Sequence, residues 1–564
     1  MSRTSARLVF LLSAAFFGAF FLWPVLQILR GGFIDADGRL TFAFLRTLLT
    51  DPTYLGALRN SLLLACAGTA IAVAIALPLA YISDRFLFPL KGFLNSAVLV
   101  PMILPPFVGA IGIKQIFGQY GAVNALIVAL GLRPHGWTFD WFAANQFWGV
   151  AVVEGLSLYP IIYLNAVAAL ANIDPAMEEA AQNLGCTGLR RFWKITLPLI
   201  QPGLFAGGTI VFIWVFTELG TPLVFDYAQV TSVQIFYGLK DIGGNPFPYA
   251  LVAVMLVSSI LLYAVGKGIF GRQGYAMMAK ATSAAGAKAL PRGQAWLCTA
   301  IFCSVAFIAI LPHLAVVLIA SSRDWYASVL PSGFTLGNYR AALGHELTVP
   351  AIANSLKFAS ISTVVDVFLG VAIAYVVVRT RLAGRHVLDF MSMLPLAVPG
   401  IVLAFGYLAM SQEGRFFSFL NPVRNPTVLL IVAYSIRRLP YVVRSAAAGF
   451  QQSSVTLEEA AENLGCPPLR AMIKVTLPLI AANLMAGALL AFAFAMLEVS
   501  DSIILAQKMV YFPITKAILE LFQLLGDGKF LACALGVWAM VFLGTMVAGI
   551  SLLLGKRLGA IFRV

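Results

Sequence analysis

Twelve apolar stretches, each about as long as a bilayer is thick, run along this chain of 564 residues. They lie at approximately 8–29, 57–82, 93–118, 143–170, 199–224 and 248–267, then 295–320, 352–378, 387–410, 427–450, 481–506 and 531–554. About 20 apolar residues are needed to cross a membrane as a helix. A spanning segment must satisfy its backbone within itself, so each stretch is expected to be helical. The runs are continuous and do not alternate, which excludes a β-barrel. Composition agrees: 60% of residues are hydrophobic and 11% are charged, far from the balance of a soluble protein. The expectation is an all-α polytopic membrane protein with about 12 transmembrane helices.

The net charge of +14 reads as the basic bias of cytoplasmic loops. No basic cluster sits on a soluble module, so nucleic acid is not an expected partner; the lipid bilayer is. With the N-terminus inside, Arg85, Lys91, Arg190, Arg191, Lys194, Arg379, Arg381, Arg385, Arg470, Lys474, Lys556 and Arg557 all fall on the inner side. Both termini are then expected to be cytoplasmic. Arg3 and Arg7 precede an apolar run too long for a cleaved signal peptide, which reads as a retained first span. The six cysteines form no C-x-x-C pair, and the four histidines are scattered. Neither a metal site nor a redox motif is indicated, and the metal assignment stays unknown.

The two halves repeat. Asn60-Ser61-Leu62 recurs as Asn354-Ser355-Leu356, Tyr81 as Tyr375, Arg85 as Arg379, and Pro101 and Pro105 as Pro395 and Pro399, all at an offset of 294. After an insertion near 119–142 the offset becomes 280, and Pro160 matches Pro440. Six spans per copy make the repeat parallel, about an axis normal to the membrane. The expected organisation is a first transmembrane domain at 1–270, a cytoplasmic linker at 271–294, rich in Gly, Ala, Ser and Lys, and a second domain at 295–564.

The halves are most alike in a polar segment. EEAAQNLGCTGLRRFWKITLPLI, from Glu178 to Ile200, and EEAAENLGCPPLRAMIKVTLPLI, from Glu458 to Ile480, share 16 of 23 positions. Membrane spans resemble one another through composition alone; a polar loop does not. Asp174 with Pro175, and Ser454, are helix-start residues. Glu178, Glu179, Glu458 and Glu459 fall in first turns, where the helix dipole favours acid. Gly185 and Gly465 suit a left-handed stop.

The pattern E-A-A-x-x-x-G, nine residues, then I-x-L-P resembles the coupling-loop signature of ABC-importer permeases of the type I fold. Here it reads Glu179-Ala180-Ala181, Gly185, Ile195, Leu197, Pro198, and again Glu459-Ala460-Ala461, Gly465, Val475, Leu477, Pro478, with Val475 departing conservatively. The resemblance covers essentially the whole chain. It implies that each loop docks in a groove on one of two cytoplasmic ATP-binding subunits. Ala180, Ala181, Ala460 and Ala461 would allow close approach, the glutamates would meet basic groups, and Gly185 and Gly465 would permit the turn.

No G-x-x-x-x-G-K-[ST] phosphate loop occurs. The resemblance therefore implies ATP and Mg on a separate ATPase, no catalytic residues and no cofactor in this chain. It also implies a separate periplasmic or lipid-anchored substrate-binding protein, and a bacterial inner-membrane location.

Ionisable groups within spans are functional candidates. Glu218 in FTELGTP and Glu498 in MLEVSD match at offset 280, and Asp501 follows. FTELGTP resembles a G-E-F-G-A segment of oxyanion and ferric-iron permeases, in a helix associated with the pathway and gate. Two readings stand: pathway residues, or solvated positions near the outer interface. Glu154, Asp366, Lys114 and the Arg437-Arg438 pair are weaker candidates; the arginines either pair with an acid across the bundle or snorkel. Pro101, Pro105, Pro106, Pro395 and Pro399 are expected to kink the third and ninth spans.

The fused double permease resembles ferric-iron importer permeases most, which makes ferric iron the favoured substrate. 2-Aminoethylphosphonate comes next, since fused or paired relatives serve it, as well as thiamine, polyamines, sulfate and molybdate. No residue here chemically selects iron. A secondary transporter of the major facilitator type also has twelve spans in parallel halves. It would carry a basic motif between spans 2 and 3, which Arg85 and Lys91 do not make, and no coupling loops.

Overall fold

The computed structural model describes residues 3–34, 38–142, 145–239, 245–270 and 288–554. Long helices dominate. Asp51 accepts from the Thr53 N–H (2.8 Å) and Pro52 opens the first turn, so the chain starts Pro52–Arg85, a helix of 34 residues. Its repeat partner is Thr348–Arg379, of 32 residues. At 1.5 Å per residue each is about 50 Å long, which exceeds the apolar thickness of a bilayer.

Eight helices among the described residues are long and apolar enough to cross a membrane, and three bent pairs pass together. Thr427–Gln452, 26 residues, occupies the tenth expected span. It carries Arg437, Arg438 and Arg444, which lower its apolarity. The described residues of the twelve expected stretches are thus largely helical, but several stretches are bent or interrupted.

The proline-marked third and ninth spans break instead of merely kinking. Lys91–Ile103 and Pro106–Ala129 meet at 95°, and Arg385–Leu396 and Gly400–Met410 at 102°. Pro105 and Pro399 sit at the breaks with extended backbone (ψ 138° and 141°). Proline lacks the N–H that would continue a helix, and its ring drives the preceding residue out of the helical region. The eleventh span bends by 77° between Pro468–Leu479 and Ala481–Met496. The expected spans 199–224 and 481–506 also stop short. Leu197–Thr217 ends at Glu218, and Ala481–Met496 ends before Glu498. Each is followed by a short helix, Gly220–Val224 or Ser500–Leu505, and then by Thr231–Gly238 or Ile514–Gln523.

Small residues bring the helices together, as expected where lipid removes the hydrophobic drive between them. A Cβ on Gly155 would collide with Ile71 of the Pro52–Arg85 helix, and one on Gly370 with Val442. Gly207 and Gly487, repeat partners, abut Asn165 and Ser445.

The first helix of each half lies against the other half. In Trp23–Phe33, Pro24 packs on Gly406, and the Tyr407 hydroxyl donates to the Phe20 carbonyl (2.8 Å). From Arg292–Ala320, Pro312 packs on Gly112, and the Thr299 hydroxyl donates to the Pro89 carbonyl (3.2 Å). The halves are interlocked, and the core is continuous between them. Of the expected linker 271–294, residues 271–287 lie outside the described residues. Lys288-Ala289 pairs in parallel with Phe86-Leu87, and a helix begins at Arg292.

Candidate functional site: two exposed loops and a central cavity

The duplicated segment folds identically twice. Asp174 caps Pro175–Asn183 by accepting from the Ala176 N–H (3.0 Å), and Ser454 caps Val455–Asn463 by accepting from the Thr456 N–H (3.3 Å). Both helices stop at a glycine with positive φ, +79° at Gly185 and +85° at Gly465. The following N–H reaches back five residues, Cys186 to the Ala181 carbonyl (2.9 Å) and Cys466 to Ala461 (3.0 Å). This is the left-handed helix stop that glycine permits. One π-helical turn then follows in each copy, Phe192–Thr196 and Met472–Thr476.

Glu178 and Glu458 do not face outward. Glu178 is buried and pairs with Arg85 (2.8 Å) while accepting from the Thr196 hydroxyl (2.8 Å). Glu458 is buried, lies 3.3 Å from Arg379 and accepts from the Tyr375 hydroxyl (3.2 Å). The first glutamate of each pair therefore ties the loop to the end of a long helix. It is the second, Glu179 or Glu459, that is exposed, together with Ala180 and Ala460. Ala181 is buried and Ala461 half-buried.

The loop tips expose two residues that the motif reading did not single out. Leu184 is 88% exposed and Leu464 is 89% exposed. Each stands just before the turn glycine, between Ala180 or Ala460 and the exposed Leu189 or Leu469. A leucine held in solvent at the same place in both copies is an apolar knob. Its identity in the two repeats was the available signal.

The second feature is a cavity of about 200 Å³ between the halves. Its walls are repeat partners: Pro101 and Pro395, Pro105 and Pro399, Ile161 and Tyr441, Trp214 and Phe494, Glu218 and Glu498. The broken third and ninth spans supply the prolines, and the ends of Leu197–Thr217 and Ala481–Met496 supply the acids. The cavity therefore lies on the axis that relates the repeats. Glu218 is 7% exposed and Glu498 4%.

The two acids have different partners. The Glu218 carboxylate accepts from the N–H groups of Gly220 (3.1 Å) and Thr221 (3.4 Å). Glu498 is clasped by Arg437 (2.5 Å) and Arg438, and Arg437 also lies 3.4 Å from Asp501. The arginines thus pair with the acid on the adjacent helix and do not snorkel. At the matching positions the first half has Ser157 and Leu158, so its acid has no guanidinium partner, only backbone donors and the Trp214 side chain, and the charge cluster is one-sided. Asp501 is fully buried beside the cavity wall.

The weaker candidates separate. Lys114 reaches Asp226 (2.9 Å) and the Val224 carbonyl, away from the cavity walls. Glu154 accepts from the Thr221 hydroxyl and Asp366 from the Ser435 hydroxyl, both at 2.5 Å, as buried polar links between helices. Among the described residues, no three His, Cys, Asp or Glu side chains gather into a group that could hold a metal ion.

Comparison with known proteins agrees with the doubled architecture. A family model described as the binding-protein-dependent transport system inner membrane component matches residues 72–273 and again 366–552. The chain is 27% identical over 501 residues to a putative ferric transport system permease protein, FbpB 1, of Haemophilus influenzae, covering 86% of this chain and 76% of that protein. It is 26% identical over 509 residues to the ferric transport system permease protein FbpB of Actinobacillus pleuropneumoniae, covering 86% and 69%. A probable molybdenum ABC transporter permease protein of Haloferax volcanii is 31% identical over 252 residues, 43% of this chain and 89% of that one. Two copies of the family's unit, twelve helical stretches and relatives that are transport permeases over most of the chain lead to one assignment: the chain belongs to the binding-protein-dependent transport system inner membrane component family, as a multi-pass ABC-importer permease of the inner membrane.

Proposed function

We propose that this chain is the membrane subunit of an ATP-driven importer of ferric iron. Two cytoplasmic ATPase subunits would dock on its duplicated loops, and a separate binding protein would deliver the substrate from the other side. The observation that carries the reading is the pair of identical loop tips, each presenting an exposed leucine and alanine on a helix tied by a buried ion pair. ATP and Mg would belong to the ATPases. Both termini and both loops would then face the cytoplasm.

In this reading the loops act as levers. Closure of the ATPase pair on ATP draws the two loops together. Each loop is anchored through Glu178 or Glu458 to a helix that crosses the bilayer, so the two halves rotate about the cavity between them. Glu218, Glu498 and Asp501 are the acids of the gate. A trivalent cation passing the cavity meets their carboxylates, and the Arg437 and Arg438 clasp on Glu498 would have to release its acid for that contact.

Ferric iron is favoured because the relatives named for ferric transport match 86% of the chain. A transported oxyanion is the second reading. It is favoured by the molybdenum relative at 31% identity and by two guanidinium groups on the cavity wall. Reconstitution with the ATPase and binding proteins encoded beside it, assayed for ATP-dependent uptake of radioactive ferric iron or molybdate, tests both. Uptake of iron alone supports the first reading; uptake of molybdate alone replaces the substrate and keeps the mechanism.

A further inference from the structure

The repeated Asn-Ser pair belongs to neither the loops nor the cavity lining, yet the structure uses it in the same way in each half. Thr231–Gly238 and Ile514–Gln523 begin after Val230 and Pro513, neither of which offers a side-chain cap. A buried first-turn N–H with no partner is costly. Here the cap comes from another helix. The Thr231 N–H donates to the Ser61 hydroxyl (2.9 Å), and the Ile514 N–H donates to the Ser355 hydroxyl (2.7 Å). Beside them, Asn60 donates to the Gln229 carbonyl (3.0 Å), and Asn354 to the carbonyls of Val510 (2.8 Å) and Phe512 (3.2 Å). All four of Ser61, Ser355, Thr231 and Ile514 are buried.

The same first turns also hold the cavity acids. The Ser232 hydroxyl donates to the Glu218 carbonyl, and the Thr515 hydroxyl to the Glu498 carbonyl, both at 2.6 Å. At the other end of the long helices, Arg85 and Arg379 hold the loop glutamates. Ser61 and Arg85 are 24 residues apart, as are Ser355 and Arg379, a helical distance of about 36 Å. In each half one continuous helix therefore joins a loop glutamate to a capped short helix, and that short helix grips the backbone of a cavity acid.

We propose that Ser61 and Ser355 are positioning residues for transport: they fasten the gate segments to the two long helices, so that a displacement of the loops reaches Glu218 and Glu498 as a rigid movement. This rests on the reading of the loops as ATPase docking sites and of the acids as the gate. Ordering of the gate is thereby assigned to a hydroxyl on the long helix, outside the pathway and outside the loops. The arrangement is built twice, independently of the one-sided arginine clasp, which is why it is read as a device of both halves.

The test uses the full chain purified with its ATPase subunits in lipid nanodiscs, its cysteines replaced by alanine and spin labels placed at Tyr237 and Gln523. The distance between labels is measured without nucleotide and with ATP plus vanadate. The parent complex should show a nucleotide-dependent shift. Ser61→Ala with Ser355→Ala should abolish it while the ATPase stays bound, and Ser61→Thr with Ser355→Thr should restore it. Arg85→Gln with Arg379→Gln, which cuts the far end of the same helices, should abolish it too. A shift that persists in the alanine pair, or is not restored by threonine, overturns the fastening role alone. If the unaltered chain retains no ATPase, the docking reading falls and the proposal falls with it.

Discussion

The Arg85 guanidinium lies 2.8 Å from the carboxylate of Glu178, and the pair recurs as Arg379 and Glu458 at 3.3 Å. The partners are 93 residues apart in the first half. The pair joins the end of a bilayer-crossing helix to the first turn of an exposed loop helix. Removing one member of a buried ion pair strands the other, at about 3–5 kcal/mol, whereas an exposed pair is worth at most about 1. Arg85→Ala should therefore loosen Pro175–Asn183 without unfolding Gln146–Ala171. Hydrogen exchange should rise in the loop helix alone, and Arg85→Glu with Glu178→Arg should recover part of the protection.

The tips should matter for assembly and not for folding. Leu184 and Leu464 are almost fully exposed, so Leu184→Asp and Leu464→Asp remove nothing from the core. Covering a leucine is worth about 1.5–3 kcal/mol. Each substitution should weaken ATPase retention by about ten- to a hundredfold, with the melting temperature in detergent unchanged. A titration of the ATPase against both variants measures this.

Gly185 and Gly465 have open space where a Cβ would stand, so only their positive φ resists substitution. Valine there should cost about 1–2 kcal/mol per loop, and asparagine much less. The valine pair should lower transport per ATP hydrolysed, the asparagine pair should stay close to the parent, and insertion in the membrane should be equal for both.

Glu218 and Glu498 should respond unequally to the same change. Glu498→Gln leaves the half-buried Arg437 with Asp501 as its remaining ion-pair partner and the buried Arg438 with none among the described residues, whereas Glu218→Gln keeps an oxygen for its two backbone donors. Thermal unfolding should show a loss of several kcal/mol for Glu498→Gln and about 1 or less for Glu218→Gln. Both should reduce uptake more than ATPase retention.

Much of this was legible because duplication filters chance. Two copies of a 23-residue polar loop mark the two exposed loops, and the matched prolines at 101, 105, 395 and 399 mark the two broken spans. The size of the breaks was not legible: proline forbids a continuous ladder, but tertiary packing decides between a kink and a 95° or 102° turn. Glu178 looked like an outward helix-dipole acid because Arg85, its partner, lies far away in sequence. The Arg437 and Arg438 clasp was hidden similarly, since several intramembrane acids were available and only the packing of Thr427–Gln452 on Ala481–Met496 selects Glu498. The crossing of each first helix to the opposite half leaves no trace in apolar composition, which is the same whichever neighbour covers it.

The central claim is uptake driven by ATPases that act through the two loops. The measurement is uptake of radioactive ferric iron into proteoliposomes that hold the chain, its ATPase and its binding protein. Uptake should require ATP and be lost in the Leu184→Asp, Leu464→Asp chain. Uptake driven by a proton or sodium gradient, with no ATPase bound, would contradict it.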